Sequence, residues 1–187
     1  MESEKLIKLA KKYCKYYHKG QTRKRDGSPF YRHPFRVAEI LKKYKYSDYI
    51  TQCIALLHDV VEDCEVRIRE IHEIFGFEIA NGVYILSKNT IKNYTKESLD
   101  CSMIMDISNF SDDDLYKMRI AFARRKIKRV KIADMIHNTI DLDTLSEKTI
   151  KRKIKNAKEF YIPMGKKIAP EMVKELEKNI QNYTKNN

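Results

Sequence analysis

The chain is predicted to fold as an all-α, compact multi-helix bundle, and three features carry that prediction. Glycine and proline are scarce, at five and four of 187 residues. Apolar residues recur three and four positions apart along most of the length, the period of a helix with one buried face. Residues 50–61, ITQCIALLHDVV, are apolar nearly all round, as a helix at the centre of a bundle must be. One domain over 1–187 accounts for the whole pattern, and 42% hydrophobic residues suffice for its core.

The elements follow in order. Leu6, Leu9, Tyr13 and Tyr17 form one stripe and predict a first helix. Residues 20–29, broken by Gly20, Gly27 and Pro29, read as a loop. A second helix begins near His33-Pro34, with proline suited to a first turn, and carries Val37, Ile40, Leu41 and Tyr44. The buried helix of residues 50–61 comes next and ends in His58, Asp59, Glu62 and Asp63. Ile68, Ile71, Ile74 and Phe75 predict a short helix stopped by Gly76, and Ile79, Val83 and Leu86 another to about Ser87. Residues 89–111 are polar and irregular and read as a long loop. The sequence SDDD at 111–114 is a capping signal for a further helix. The basic run 124–129 leads into a helix through 130–142, followed by helices at 146–161 and 164–182, with 178–187 expected to fray.

Composition limits the function. The formal net charge of +12 draws polyanions without choosing among nucleic acid, nucleotide polyphosphates and anionic lipid. No apolar run is long enough to span a bilayer, and the N-terminus lacks the apolar stretch of a signal peptide, so a cytoplasmic protein with no membrane partner is expected. Cys14, Cys53, Cys64 and Cys101 form no CxxC pair, which argues against a zinc ribbon or a thioredoxin-type site.

Polar groups clustered where a buried helix ends need partners. His58 and Asp59 sit there, with Glu62 and Asp63 one turn on. His33 opens another helix after a basic loop, and Asp134 lies in a third helical segment. Two imidazoles and two carboxylates suit a borderline or hard divalent ion, Mn²⁺ first, with iron or zinc as alternatives. Spacing alone does not join His33 to Asp134. His137 is expected to pack or to support a ligand from behind, His18 to support the site from behind, and His72 to be structural.

These residues also carry a family resemblance. LLHDVVED, residues 56–63, resembles the HDxxED motif of RelA/SpoT-type alarmone hydrolases of the HD superfamily. RKRDGSPFYRHPFRVAEIL, residues 23–41, is similar to that family's basic loop and His-Pro helix start. VKIADMIHN at 130–138 resembles KLADRLHN, and YIPMGKKIAP at 161–170 resembles YAPLAxRLG. The resemblance runs in order through nearly the whole chain.

It implies an HD-domain bundle in which His33, His58, Asp59 and Asp134 hold Mn²⁺. Glu62 and Asp63 would position or deprotonate water and handle the leaving group. Arg23 and Lys24, with Arg25 as a further candidate, would meet the base and phosphates, and Asn138 and Asp141 would face the nucleotide. The implied reaction removes pyrophosphate from the 3′ position of (p)ppGpp, leaving GDP or GTP. No synthetase domain fits within the chain, so a stand-alone hydrolase is expected.

Asn138-Thr139-Ile140-Asp141 stands where the family has Asn-x-Arg-Thr. That change keeps a related phosphohydrolase acting on pppApp or the 2′-phosphate of NADPH in play. A non-catalytic, basic RNA- or nucleotide-binding module is the contrasting reading. The chain carries no recognised nucleic-acid motif in its favour.

Overall fold

A computed structural model describes residues 2–24, 26–91, 110–140 and 142–186. Arg25, Asp141, Cys101 and most of the expected 89–111 loop fall outside them. Among the described residues the only β-structure is one bridge, Thr22 to Pro29.

The helices are α1 (Glu2–Tyr17), α2 (Arg32–Lys43), α3 (Tyr49–Leu57), α4 (Val60–Asp63), α5 (Ile68–Phe75) and α6 (Phe77–Leu86). After a 3₁₀ turn at Lys88–Thr90 come α7 (Asp112–Phe122) and α8 (Arg125–Thr139). Then follow α9 (Glu147–Asn156), a π-helical stretch Ala157–Tyr161, α10 (Ile162–Lys166) and α11 (Pro170–Asn186).

Helix α3 is the axis of the bundle. Every residue from Ile50 to Leu57 is buried, and α1, α2, α6 and α8 pack around it. Its apolar circumference, read from the sequence, has its physical reason in those four neighbours. Asp48 starts the helix by accepting from the Thr51 N–H, an N-cap worth about 1 kcal/mol. Helix α6 lies so close to α3 that a Cβ at Gly82 would sit 2.4 Å from Ile54 Cδ1.

Two expectations need correction. The helix of residues 50–61 is not continuous: α3 stops at Leu57, His58 and Asp59 form a turn, and α4 starts at Val60. His58 and Asp59 keep right-handed helical angles, and their side chains meet, His58 Nε2 lying 3.1 Å from Asp59 Oδ1. The expected division at 162–163 is absent. The chain passes from α9 through the π stretch into α10, and turns only at 167–169. A π stretch leaves room for Pro163, which lacks a donor and crowds the preceding turn. Helix α11 runs to Asn186. Met172, Val173, Leu176 and Ile180 hold it to the core.

The basic loop is compact. Arg23 N–H donates to Ser28 O at 2.9 Å and Phe30 N–H to Gln21 O at 2.9 Å. Gly20 and Gly27 take φ of +83° and +67°, a region that L side chains rarely enter. The capping signal at 111–114 forms as a capping box, Ser111 bonding Asp114 N–H while the Asp114 carboxylate takes the Ser111 N–H. No helix of the described residues is long and apolar enough to cross a membrane.

Candidate active site

Four elements converge on one spot: the first turn of α2 (His33), the α3–α4 turn (His58, Asp59), α4 (Glu62, Asp63) and the middle of α8 (Asp134). His33, His58 and Asp134 are 3%, 4% and 5% exposed, so these polar groups are buried against one another. His33 Nε2 lies 3.4 Å from Asp59 Oδ2 and 3.2 Å from Asp134 Oδ1. His58 Nε2 lies 3.1 Å from Asp59 Oδ1 and 3.8 Å from Asp134 Oδ1. One donor atom each from His33, His58 and Asp59 fall within 4.8 Å of one another, a candidate metal-binding group.

The local chemistry fits a cation. His58 Nδ1–H donates to Ala55 O at 2.8 Å, which leaves Nε2 as the nitrogen that would give a metal ion its lone pair in place of a proton. That nitrogen is buried and makes no hydrogen bond among the described residues. A backbone carbonyl fixing the far nitrogen is the usual support for a metal-ligating histidine. His33 is held the same way, its Nδ1 2.7 Å from His137 Nδ1. For His33 Nε2 to present a lone pair, His33 Nδ1 must carry the proton and His137 accept it. Asp134 Oδ2 takes Lys131 Nζ at 2.9 Å, and Oδ1 takes Asn138 Nδ2 at 2.5 Å.

The carboxylates and imidazoles titrate abnormally. Burial lowers His33 to about 3, although Asp134 opposes the shift. Burial also disfavours charged His58, but Asp59 and Asp134 outweigh it and raise His58 to about 9. Burial raises Asp59, helped by Asp134 and opposed by His58. Asp134 falls well below the usual carboxylate range, because Lys131 and the two histidines outweigh its burial. Two carboxylates crowded with two imidazoles and little water form a site that a 2+ ion would neutralise.

A cavity of about 450 Å³ opens above this cluster. Its floor is His33, His58, Asp59 and Asp134, and Glu62 and Asp63 stand at one side. Arg23, Lys24, Lys88, Lys131, Lys153 and Asn138 also line it. The sequence-predicted residues that lie within the described chain therefore meet around one space. Arg25 and Asp141 lie outside the described residues. Ile140, which stands where the family resemblance breaks, lines a separate outer cavity with His137, Arg36 and Lys43.

Glu62 Oε2 accepts the Lys88 backbone N–H at 2.7 Å. Burial, then the neighbouring Glu62 charge, raises Asp63, with His58 opposing. Sequence reasoning missed Lys153, on α9. Its amine forms no ion pair among the described residues. Burial holds it below its usual range, with Lys131, Arg152 and Arg23 adding to the shift and Asp134 opposing it. Lys131 was also missed. It carries the Asp134 contact and sits 5.5 Å from the Tyr116 ring centroid. Lys131 is the lysine of the KIAD run that resembles KLAD, whereas Lys153 is a lysine among many.

An all-helical bundle whose buried His/Asp cluster opens into a basic, carboxylate-edged cavity is the architecture of a metal-site protein of the HD type. The sequence matches the HD domain family over residues 10–168, and the chain belongs to that family. It is 32% identical over 182 residues to a GTP pyrophosphokinase of Myxococcus xanthus, covering 96% of this chain and 23% of that protein. It is 31% identical over 158 residues to the bifunctional (p)ppGpp synthase/hydrolase SpoT of Escherichia coli K12, covering 84% of this chain and 21% of that one. The chain thus spans under a quarter of the length of these relatives. A solved structure described as a metazoan ortholog of SpoT that hydrolyzes ppGpp superposes with a TM-score of 0.75 over 95% of both chains at 20% identity, a likeness of fold.

Proposed function

We propose that this chain is a metal-dependent phosphohydrolase that removes pyrophosphate from the 3′ position of (p)ppGpp, releasing GDP or GTP. One observation carries the reading: the buried His33, His58, Asp59 and Asp134 cluster forms the floor of a cavity whose wall holds Arg23, Lys24 and Lys153. Acid, imidazole and cations that form no ion pair among the described residues line one cavity, which suits a polyphosphate ester bound across a metal ion. The relatives named as (p)ppGpp hydrolases align over most of the chain and support the same substrate.

His33, His58, Asp59 and Asp134 would hold the ion, with Mn²⁺ our assignment for two nitrogen and two oxygen donors. Bound there, the ion would acidify water and polarise the attacked phosphoryl group. Glu62 takes the proton from the attacking water as its oxygen bonds to phosphorus. The bond from phosphorus to the ribose 3′ oxygen breaks, and that oxygen receives a proton. Asp63, with its raised pKa, is suited to hold and deliver that proton. Arg23, Lys24 and Lys153 neutralise the polyphosphate, and Arg23 can also stack on the base. Asn138 bonds Asp134 and lines the cavity, so it bridges the ligand cluster and the nucleotide.

The test is anion-exchange analysis of Mn²⁺-loaded protein with ppGpp, beside NADPH and pppApp. We expect GDP and pyrophosphate from ppGpp, and neither with Asp59→Ala. Turnover of NADPH or pppApp alone would keep the metal site and replace the substrate. Metal-free protein that turns over none of them and binds RNA with a steep salt dependence would put a binding module in place of an enzyme.

A further inference from the structure

Glu62 is exposed and lies on a helix of four residues, so its own element does little to fix it. What fixes it comes from elsewhere in the chain. Its Oε2 accepts the Lys88 N–H at 2.7 Å, and beside it Asn89 Nδ2 donates to Val61 O at 2.9 Å. The 3₁₀ turn at Lys88–Thr90 is therefore bonded to α4 at two points. That turn is short and would not hold its shape alone.

Helix α7 holds it. Tyr116 Oη donates to Leu86 O at 2.8 Å. Arg119 Nη2 donates to Ser87 O and Nη1 to Thr90 Oγ1, both at 2.8 Å. Thr90 Oγ1 in turn donates to Ser87 O at 2.7 Å. Arg119 is 8% exposed, and its guanidinium lies 5.0 Å and 5.7 Å from the ring centroids of Tyr84 and Tyr116. The Arg119 guanidinium bonds a backbone carbonyl and a hydroxyl of the turn at once. It is well suited to fixing the backbone between its two contacts, because the planar fork sets both bonds at once. Lys88, whose N–H holds Glu62, lies between those two contacts, Ser87 and Thr90.

We propose that Arg119 is a positioning residue for Glu62. It clamps residues 87–90 so that the Lys88 N–H holds the Glu62 carboxylate over the cavity. The proposal rests on the reading of Glu62 as the group that takes the water's proton. It assigns to α7 a part in the reaction although Arg119 is not among the residues that line the cavity. Misplacing a reacting group by about 1 Å costs roughly 10²-fold in rate, so a loose turn would appear in kcat and little in KM.

The test is a double-mutant cycle on the Mn²⁺-loaded chain with ppGpp. Arg119→Met should lower kcat roughly 10- to 100-fold, with KM changed less than about 2-fold and metal content unchanged. Arg119→Lys, which keeps one donor, should fall between. In a Glu62→Gln background, Arg119→Met should change the residual rate less than about 2-fold, because the group it positions is already disabled. Amide hydrogen exchange at Lys88 reads the clamp without turnover, and should quicken about 10-fold or more in Arg119→Met. If Arg119→Met fails to fold, Thr90→Val removes the Nη1 acceptor and should show the same non-additivity at smaller size.

Wild-type kcat with slow Lys88 exchange in a folded Arg119→Met protein would overturn the proposal. So would an equal rate loss in both backgrounds, which would place Arg119's effect away from Glu62. Full turnover by Glu62→Gln alone would instead remove the reading of Glu62. The Lys88 exchange would then decide whether the clamp exists at all.

Discussion

On the floor of the cavity, His33, His58 and Asp134 are nearly inaccessible, and each is held by a neighbour: His137, Ala55 O, and Lys131 with Asn138. On the wall of the same cavity, Arg23 and Lys24 come from a loop and Lys153 from α9, and no ion pair restrains them among the described residues. The floor is fixed by geometry and the wall acts by charge. Changes to the floor should therefore be close to all-or-none, and changes to the wall graded and salt-sensitive.

The sharpest way to break this contrast is to remove a floor ligand. His58→Ala or Asp134→Ala should lose bound metal, read by elemental analysis, and turnover by on the order of 10³-fold or more. A variant that kept both would place the ion elsewhere. Glu62→Gln should keep metal and lose roughly 10²- to 10⁴-fold in kcat, separating proton transfer from metal binding. His137→Ala tests the support behind the floor. It should weaken metal affinity roughly 10- to 100-fold by titration, while metal-saturated protein turns over nearly normally. For the wall, Lys153→Ala should raise KM about 10-fold at low salt, shrinking as ionic strength rises, with kcat little changed.

Protons on the floor sharpen the contrast further. Without a bound ion, Asp59 and Asp134 outweigh burial and push His58 up to about 9, above its ordinary 6.5. A folded-state pKa above the unfolded one contributes stability that is complete below the unfolded value and lost as pH rises through the folded one. The raised Asp59 acts in the same direction. Metal-free protein should therefore lose stability as pH rises from about 6.5 to about 9, read as a falling Tm. The Mn²⁺-loaded protein should not follow it, because bound ion displaces those protons. A flat metal-free profile would mean that His58 is not protonated between the two carboxylates.

The floor was partly legible in the sequence because its signal is local. His58 and Asp59 adjoin at the end of an apolar run, which is odd enough to mark a site. Asp134 and His33 had no local signal, and only the family resemblance joined them. The kink between Leu57 and Val60 was not legible, because helix periodicity ran unbroken through it. The wall was harder still. Lys153 is one lysine in a segment reading IKRKIKN, and only the packing of α9 beside the cavity distinguishes it from its neighbours. Arg119 belonged to an ordinary amphipathic pattern, because a clamp on a distant turn depends on which turn the fold brings near.

Gly82 sets the spacing between α6 and the helix that leads into His58. A methyl group there would meet the fully buried Ile54 at 2.4 Å, so Gly82→Ala alone overpacks the interface, and a smaller residue at 54 alone leaves a void. The two changes together restore volume. Across diverging lineages, positions 54 and 82 should then drift as a pair, small where the other is large. That correlated history would be readable in aligned relatives without any assay of activity.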